Sequence, residues 1–200
     1  MSVDFIQTLA DPKQLPDLFQ GDFLKGRREG RLILVGRSNV GKSSLINKVL
    51  GTRLAQVSAN PGKTKAIHFY YWKEGKRIVA DLPGYGFATS SKTDREQWSK
   101  LITAYLETDP NIERAIILLD ARHGPTDKDL EAIQFMKGLP ILFVFTKSDQ
   151  LKNQKMRAQR HKEASQALTE LGYNPKEAHW VSVLSGDGIR RLAAVLSQGS

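Results

Sequence analysis

Residues Gly36 to Asn47 read G-R-S-N-V-G-K-S-S-L-I-N, behind the apolar run Leu32-Ile33-Leu34-Val35 and ahead of a helical pattern through Leu45, Ile46, Val49 and Leu50. A strand, a glycine-bounded loop and a helix follow one another there. Gly36, Gly41, Lys42 and Ser43 fill the spacing G-x-x-x-x-G-K-[ST], with Arg37, Ser38, Asn39 and Val40 inside the loop. Such a loop wraps its backbone N–H groups around a phosphate, and the helix N-terminus adds partial positive charge. Lys42 can reach the outer phosphates, and the Ser43 hydroxyl can ligate Mg²⁺. The plainer alternative is an ordinary strand–turn–helix with chance glycines. The strand and helix context favours a phosphate, without saying which nucleotide is bound or to what end.

Two hundred residues suit one domain, and 40% hydrophobic with 26% charged residues allow a buried core. A net charge of +9 fits either a polyanionic partner or plain solubility. There are no cysteines, which excludes disulfides and thiolate metal sites. Met1 to Gln14 lacks the basic start and apolar run of a signal peptide, and the longest apolar runs, such as Ala115–Leu119 and Ile141–Phe145, are too short to span a bilayer. The expectation is a cytoplasmic protein without membrane attachment.

Residues 1–30 carry Pro12, Pro16, Gly21, Gly26 and Gly30 with little periodicity, and read as an irregular N-terminal extension ending in the basic cluster Lys25, Arg27, Arg28. The domain proper, 31–200, starts at Arg31. Gly51 to Lys65, with Ser58, Asn60, Pro61 and Gly62, reads as a long exposed loop. Ala66–Trp72 and Arg77–Ala80 read as strands too close in sequence for a parallel crossover, hence an antiparallel hairpin. Trp98, Leu101, Ile102, Tyr105 and Leu106 repeat as one helix face. Beyond them, strands at Ala115–Leu119, Ile141–Phe145 and His179–Val183 alternate with helices at Lys128–Lys137, Lys155–Leu171 and Gly188–Leu196. Apolar strands alternating with helices imply a three-layer α/β domain: a mostly parallel, six-stranded sheet with one antiparallel strand and helices on both faces. Ligands of such sheets bind at the carboxyl ends of the strands, where Gly36 lies.

Two further elements address phosphate and metal. Asp81-Leu82-Pro83-Gly84 follows a strand; its carboxylate is placed to hold Mg²⁺ directly or through water, and Gly84 leaves an N–H free to approach a γ-phosphate. Thr64, in the exposed loop between Ser43 and Asp81, can complete the Mg²⁺ shell while the γ-phosphate is present. A base-reading element follows at Thr146-Lys147-Ser148-Asp149. Asp149 can accept two hydrogen bonds from the guanine N1–H and exocyclic amino group; adenine would leave it unpaired. The Lys147 stem can lie along the base plane. Val181-Ser182-Val183 can supply backbone N–H groups to the guanine carbonyl. Taken in this order, the elements point to a GTP-binding domain.

The stretches Gly36–Asn47, P-G-K-T (Pro61–Thr64), D-L-P-G-Y-G-F-A (Asp81–Ala88), D-A-R-H-G-P-T-D-K-D (Asp120–Asp129) and T-K-S-D-Q-L (Thr146–Leu151) resemble the EngB (YihA/YsxC) family of bacterial GTPases. D-L-P-G-Y-G beside a T-K-x-D is specific, since most GTPases have Asn where Thr146 stands. The resemblance runs from about Arg31 to the C-terminus. It implies a single P-loop G domain needed for large ribosomal subunit assembly and normal cell division. It further implies Mg²⁺ bound through Ser43 and Thr64. By family pattern GTP or GDP would contact Gly36–Ser43, Gly62, Lys63, Thr64, Lys65, Ala66, Asp81–Gly84, Thr146–Asp149 and Val181–Val183. Family members often carry Ser-Ser where this chain has Ser182-Val183.

Many GTPases orient the attacking water with a Gln after the D-x-x-G glycine; here that residue is Tyr85. Slow intrinsic turnover with outside help is expected, carried by Lys42, Asn39, Thr64 and Gly84. Asn39 either braces the loop or helps ligate a monovalent cation such as K⁺. Leu151 to Lys162 holds Lys152, Lys155, Arg157, Arg160 and Lys162 and no acid, which is either a solvated face or one meeting ribosomal RNA. Arg190-Arg191 adds to the basic surface. Tyr85 and Phe87, flanked by Gly84 and Gly86, either pack inward or move with the nucleotide. The expectation is a monomeric switch. Its rivals are a P-loop ATPase, disfavoured by Asp149, and a nucleic-acid-binding P-loop protein with a non-hydrolysing site, disfavoured by intact Lys42, Ser43, Thr64 and Asp81.

Overall fold

The computed structural model describes residues 3–20, 29–51, 66–86 and 92–198. Along the chain come β1 (Val3–Leu9), α1 (Leu15–Gln20), β2 (Arg31–Gly36), α2 (Lys42–Val49), β3 (Ile67–Trp72), β4 (Arg77–Asp81) and α3 (Lys92–Thr108). Then follow β5 (Ile112–Asp120), α4 (Asp127–Phe135), β6 (Ile141–Thr146), α5 (Gln154–Glu170), β7 (His179–Trp180) and α6 (Ile189–Ser197). The strands form one sheet in the order β1-β3-β4-β2-β5-β6-β7. β3 is antiparallel to both β1 and β4, and every other pairing is parallel.

Successive side chains of a strand point to opposite faces, and β2 shows what that does to the core. Ile33 and Val35 face the layer of α3, α4 and α5, meeting Leu101, Ile102, Ile133 and Leu168. Leu32 and Leu34 face α2 and α6, meeting Leu45, Ile46, Leu192 and Leu196. All six residues of β2 are buried. At its amino-terminal end Arg31 pairs with Asp109 at 3.3 Å, both buried, and the Tyr105 hydroxyl donates to the same carboxylate at 3.1 Å. That pair locks the end of α3 to the sheet, far from the carboxyl edge.

The three layers and the lone antiparallel strand are those the pattern implies, but the sheet has seven strands, not six. The seventh lies within the expected irregular extension: Val3–Leu9 pairs along β3, from Val3 opposite Trp72 to Leu9 opposite Ile67, with the register shifting between Phe5 and Gln7. Leu9 is fully buried, while Asp4 reaches Lys73 at 2.8 Å on the exposed side. The basic cluster Lys25, Arg27, Arg28 lies outside the described residues. At the other edge β7 is shorter than expected, because the chain turns at Ser182, whose N–H donates to the Asp187 carbonyl at 3.0 Å.

Candidate functional site

The loop between β2 and α2 is built by backbone conformation. Gly41 caps α2 with φ +105°, a left-handed geometry that side-chain-bearing residues rarely adopt. Asn39, at φ 63°, is also left-handed, although it carries a side chain. The Ser38 N–H donates to the Tyr85 carbonyl at 3.0 Å, and Arg37 bridges Tyr85 in parallel. The loop is therefore docked on the segment after β4. Gly84 is pressed against it: a Cβ there would lie 2.9 Å from Ser38 Oγ and 3.1 Å from Lys42 Nζ. Only glycine lets that backbone so near the lysine.

Lys42 turns its ammonium back under the loop, 3.4 Å from the Gly36 carbonyl. Burial pushes its pKa down, and the charge of Asp81 pushes it back up. Burial pushes the Asp81 carboxyl up to about 6, against the opposing pull of Lys42. Asp81 Oδ1 is buried and accepts no hydrogen bond among the described residues. A carboxylate oxygen held out of water with no protein donor suits a hydrated divalent cation, and Ser43 lies in the first turn of α2, which follows the neighbouring strand β2. The residues present thus fit Mg²⁺. Gly62, Lys63, Thr64 and Lys65 lie outside the described residues; Ala66 is half-buried immediately before β3.

The turn after β6 and the loop after β2, expected to read the base and to hold phosphate, meet across the end of β5. The Thr146 hydroxyl donates to the Val40 carbonyl at 2.7 Å. Lys147, left-handed at φ 60°, donates from Nζ to the Asn39 carbonyl at 2.7 Å and to Asp120 Oδ2 at 2.9 Å. Asp149 accepts from Ser182 Oγ at 2.5 Å, which fixes one of its oxygens. The Ser148 N–H donates to the Val181 carbonyl at 3.1 Å. The Val181 and Ser182 N–H groups are engaged by Phe145 and Asp187, so the backbone donation expected of Val181–Val183 is left to Val183. Ser182 acts through its hydroxyl.

Two residues that sequence reasoning quoted only as the ends of a family stretch, with no role, are anchors. Asp120, at the carboxyl end of β5, accepts Arg122 Nε at 2.8 Å, Arg122 Nη2 at 2.6 Å and the Lys147 ammonium. Burial raises its pKa, but those hydrogen bonds outweigh burial and hold it below the usual carboxylate range. Its position at the end of a strand, between the motif-bearing strands that end at Gly36 and Thr146, was the available signal. The second anchor is Asp129, buried in the first turn of α4. It accepts the Tyr85 hydroxyl at 2.7 Å on one oxygen, and the Thr126 N–H and hydroxyl on the other. Tyr85 also packs edge-on to Trp98, whose indole N–H donates to the Pro83 carbonyl at 2.7 Å. Tyr85 thus packs inward, while Phe87 lies outside the described residues. Leu82 continues the ladder through its N–H to the Leu34 carbonyl at 3.1 Å.

Residues 31–147 match the protein family described as "50S ribosome-binding GTPase". The probable GTP-binding protein EngB of Alkaliphilus metalliredigens strain QYMF is 37% identical over 197 residues, covering 96% of this chain and 88% of that protein. Its counterpart in Gemmatimonas aurantiaca strain T-27 is 41% identical over 170 residues, covering 84% and 81%. Among solved structures, a probable GTP-binding protein engB superposes with a TM-score of 0.65 at 27% identity, over 82% of this chain and 95% of that one. Aquifex aeolicus Era, as a point variant bound to GDP and aluminium fluoride, superposes with a TM-score of 0.64 at 25% identity, over 86% and 57%. This chain belongs to the EngB family of GTP-binding proteins.

Proposed function

We propose that the chain binds GTP and GDP through the segments named above and hydrolyses GTP to GDP and phosphate, as a switch in assembly of the large ribosomal subunit. The observation that carries this reading is the junction at Lys147, which ties the base-reading turn to the Asn39 carbonyl of the phosphate loop. Ser43 and Thr64, with Asp81 through water, would hold Mg²⁺, which supplies charge neutralisation at the outer phosphates. Lys42 offsets charge on the γ-phosphate, and the Gly84 N–H marks its presence. Asp149 selects guanine. Tyr85 has no carboxamide to orient water and its hydroxyl is committed to Asp129, so intrinsic turnover is slow.

Asn39 is exposed and left-handed, inside the loop that would hold the phosphates, and we assign it a monovalent cation such as K⁺ that offsets charge in the transition state. Turnover severalfold faster in KCl than in NaCl is expected; equal rates would remove that role. The ribosomal role draws support from the family's description and the net charge of +9. Co-sedimentation with isolated 50S and 30S particles tests it, the expected result being nucleotide-dependent association with 50S alone. No helix among the described residues is long and apolar enough to cross a membrane; a cytoplasmic location and a monomeric state are further parts of the proposal. A need for the protein in cell division follows from the same reading, and depletion that leaves septation normal would contradict it.

A further inference from the structure

Helix α5 keeps its core contacts in its second half, where Ala164 and Leu168 are buried. At helical spacing the same face runs back through His161 and Arg157, yet no residue from Lys152 to Glu163 is buried. Residues 152–163 carry five Lys/Arg, Lys152 just ahead of the helix and four within it, and one acid, Glu163, which pairs with Arg160 at 2.6 Å. Lys152, Lys155 and Lys162 meet no carboxylate among the described residues. The first turn has no acidic residue and contains Lys155. A cation there opposes the helix dipole, so the charge works against the isolated helix and is relieved by a polyanion laid across it.

Beside these lysines stands a column of three rings. Buried Phe145 stacks on half-buried Trp180, with centroids 4.3 Å apart and planes 10° apart; Trp180 stacks on exposed His161 at 3.8 Å and 17°. The column runs from the core to solvent and ends on an imidazole. Burial, then the charge of Arg157, lowers the pKa of that imidazole, which favours its neutral form. Flat rings beside unpaired cations suit single-stranded RNA, whose free bases offer a π-face that a duplex withholds.

We propose that the first half of α5 and the Phe145–Trp180–His161 column form an RNA-docking surface, on which Lys152, Lys155 and Lys162 contact phosphates and one unpaired base stacks on His161. The proposal rests on the ribosomal reading and specifies its RNA contact. It is tested with two RNAs that differ by one nucleotide, a fully paired duplex and the same duplex with one purine bulge, titrated against the full chain at several salt concentrations. The bulged RNA should bind about fivefold or more tighter. His161→Ala should erase that preference without changing the salt slope, and His161→Phe should restore it. Lys155→Gln with Lys162→Gln should weaken both RNAs and lower the slope by roughly two. Equal binding of the two RNAs, or a preference that His161→Ala retains, would overturn the proposal. Ribosome co-sedimentation of the same variants separates the two readings. No association by the unaltered protein defeats the ribosomal reading, and association indifferent to these variants defeats only the docking surface. Association lost in the variants while neither RNA binds would mean a protein partner and would also overturn it.

Discussion

Asp120 braces the link between the loop after β2 and the turn after β6, the segments proposed to hold phosphate and base. Lys147 and Asn39 are two of the three left-handed residues other than glycine among the described residues, and the lysine ammonium links them. Asp120 holds that ammonium in place. Asp120→Asn should therefore weaken GDP binding roughly tenfold, the scale of a hydrogen bond to a charged group. In a Lys147→Ala background the same change should have little further effect. Calorimetric titration of the four proteins reads this, and additive losses would contradict it. Asp81 yields a pH prediction. Its folded carboxyl titrates at about 6, above the usual value of about 3.9. The folded, nucleotide-free protein thus keeps a proton between those values that the unfolded chain has lost. Its stability should fall as pH rises through that window and level off above it. Binding of Mg²⁺–nucleotide, which needs the ionised form, should strengthen from about pH 5 to about 6.5 with proton release, and Asp81→Asn should flatten the profile. A pH-independent affinity of the unaltered protein would contradict this.

At the scale of elements, the segment after β4 is fastened to α4 and α3 by Tyr85. Tyr85→Phe leaves Asp129 Oδ1 without its donor in a buried position, which should cost about 1–3 kcal/mol. Thermal melting should drop by several degrees; an unchanged transition would show that the hydroxyl anchors nothing. The sequence could not reveal this bond, because Tyr85 and Asp129 lie 44 positions apart and each has a local explanation, a glycine-flanked aromatic and a helix-capping acid. β1 was hidden for another reason. In V-D-F-I-Q-T-L the register shift between Phe5 and Gln7 breaks the two-residue period, and of its apolar residues only Leu9 is fully buried. By contrast β2, β5 and β6 are legible because burial on both faces demands continuous apolar runs. The helix face through Leu101, Ile102 and Tyr105 was legible because that stripe packs on the sheet.

For the whole molecule, local spacing carried much of the reading: the phosphate loop, D-L-P-G and T-K-S-D are contiguous stretches whose chemistry is evident before folding. What needed the fold was how they are joined, since Thr146 reaches Val40 across 106 positions and Ser182 reaches Asp149 across 33. These bonds join the segments proposed for guanine recognition and for phosphate binding into one structural unit. The most direct measurement is a titration of nucleotide-free protein with GDP, GTP and ATP in Mg²⁺, with Asp149→Asn alongside. We predict that GDP and GTP bind, that ATP binds at least about a thousandfold more weakly, and that Asp149→Asn abolishes the preference. Equal affinity for ATP, or no binding of any of the three, would contradict it.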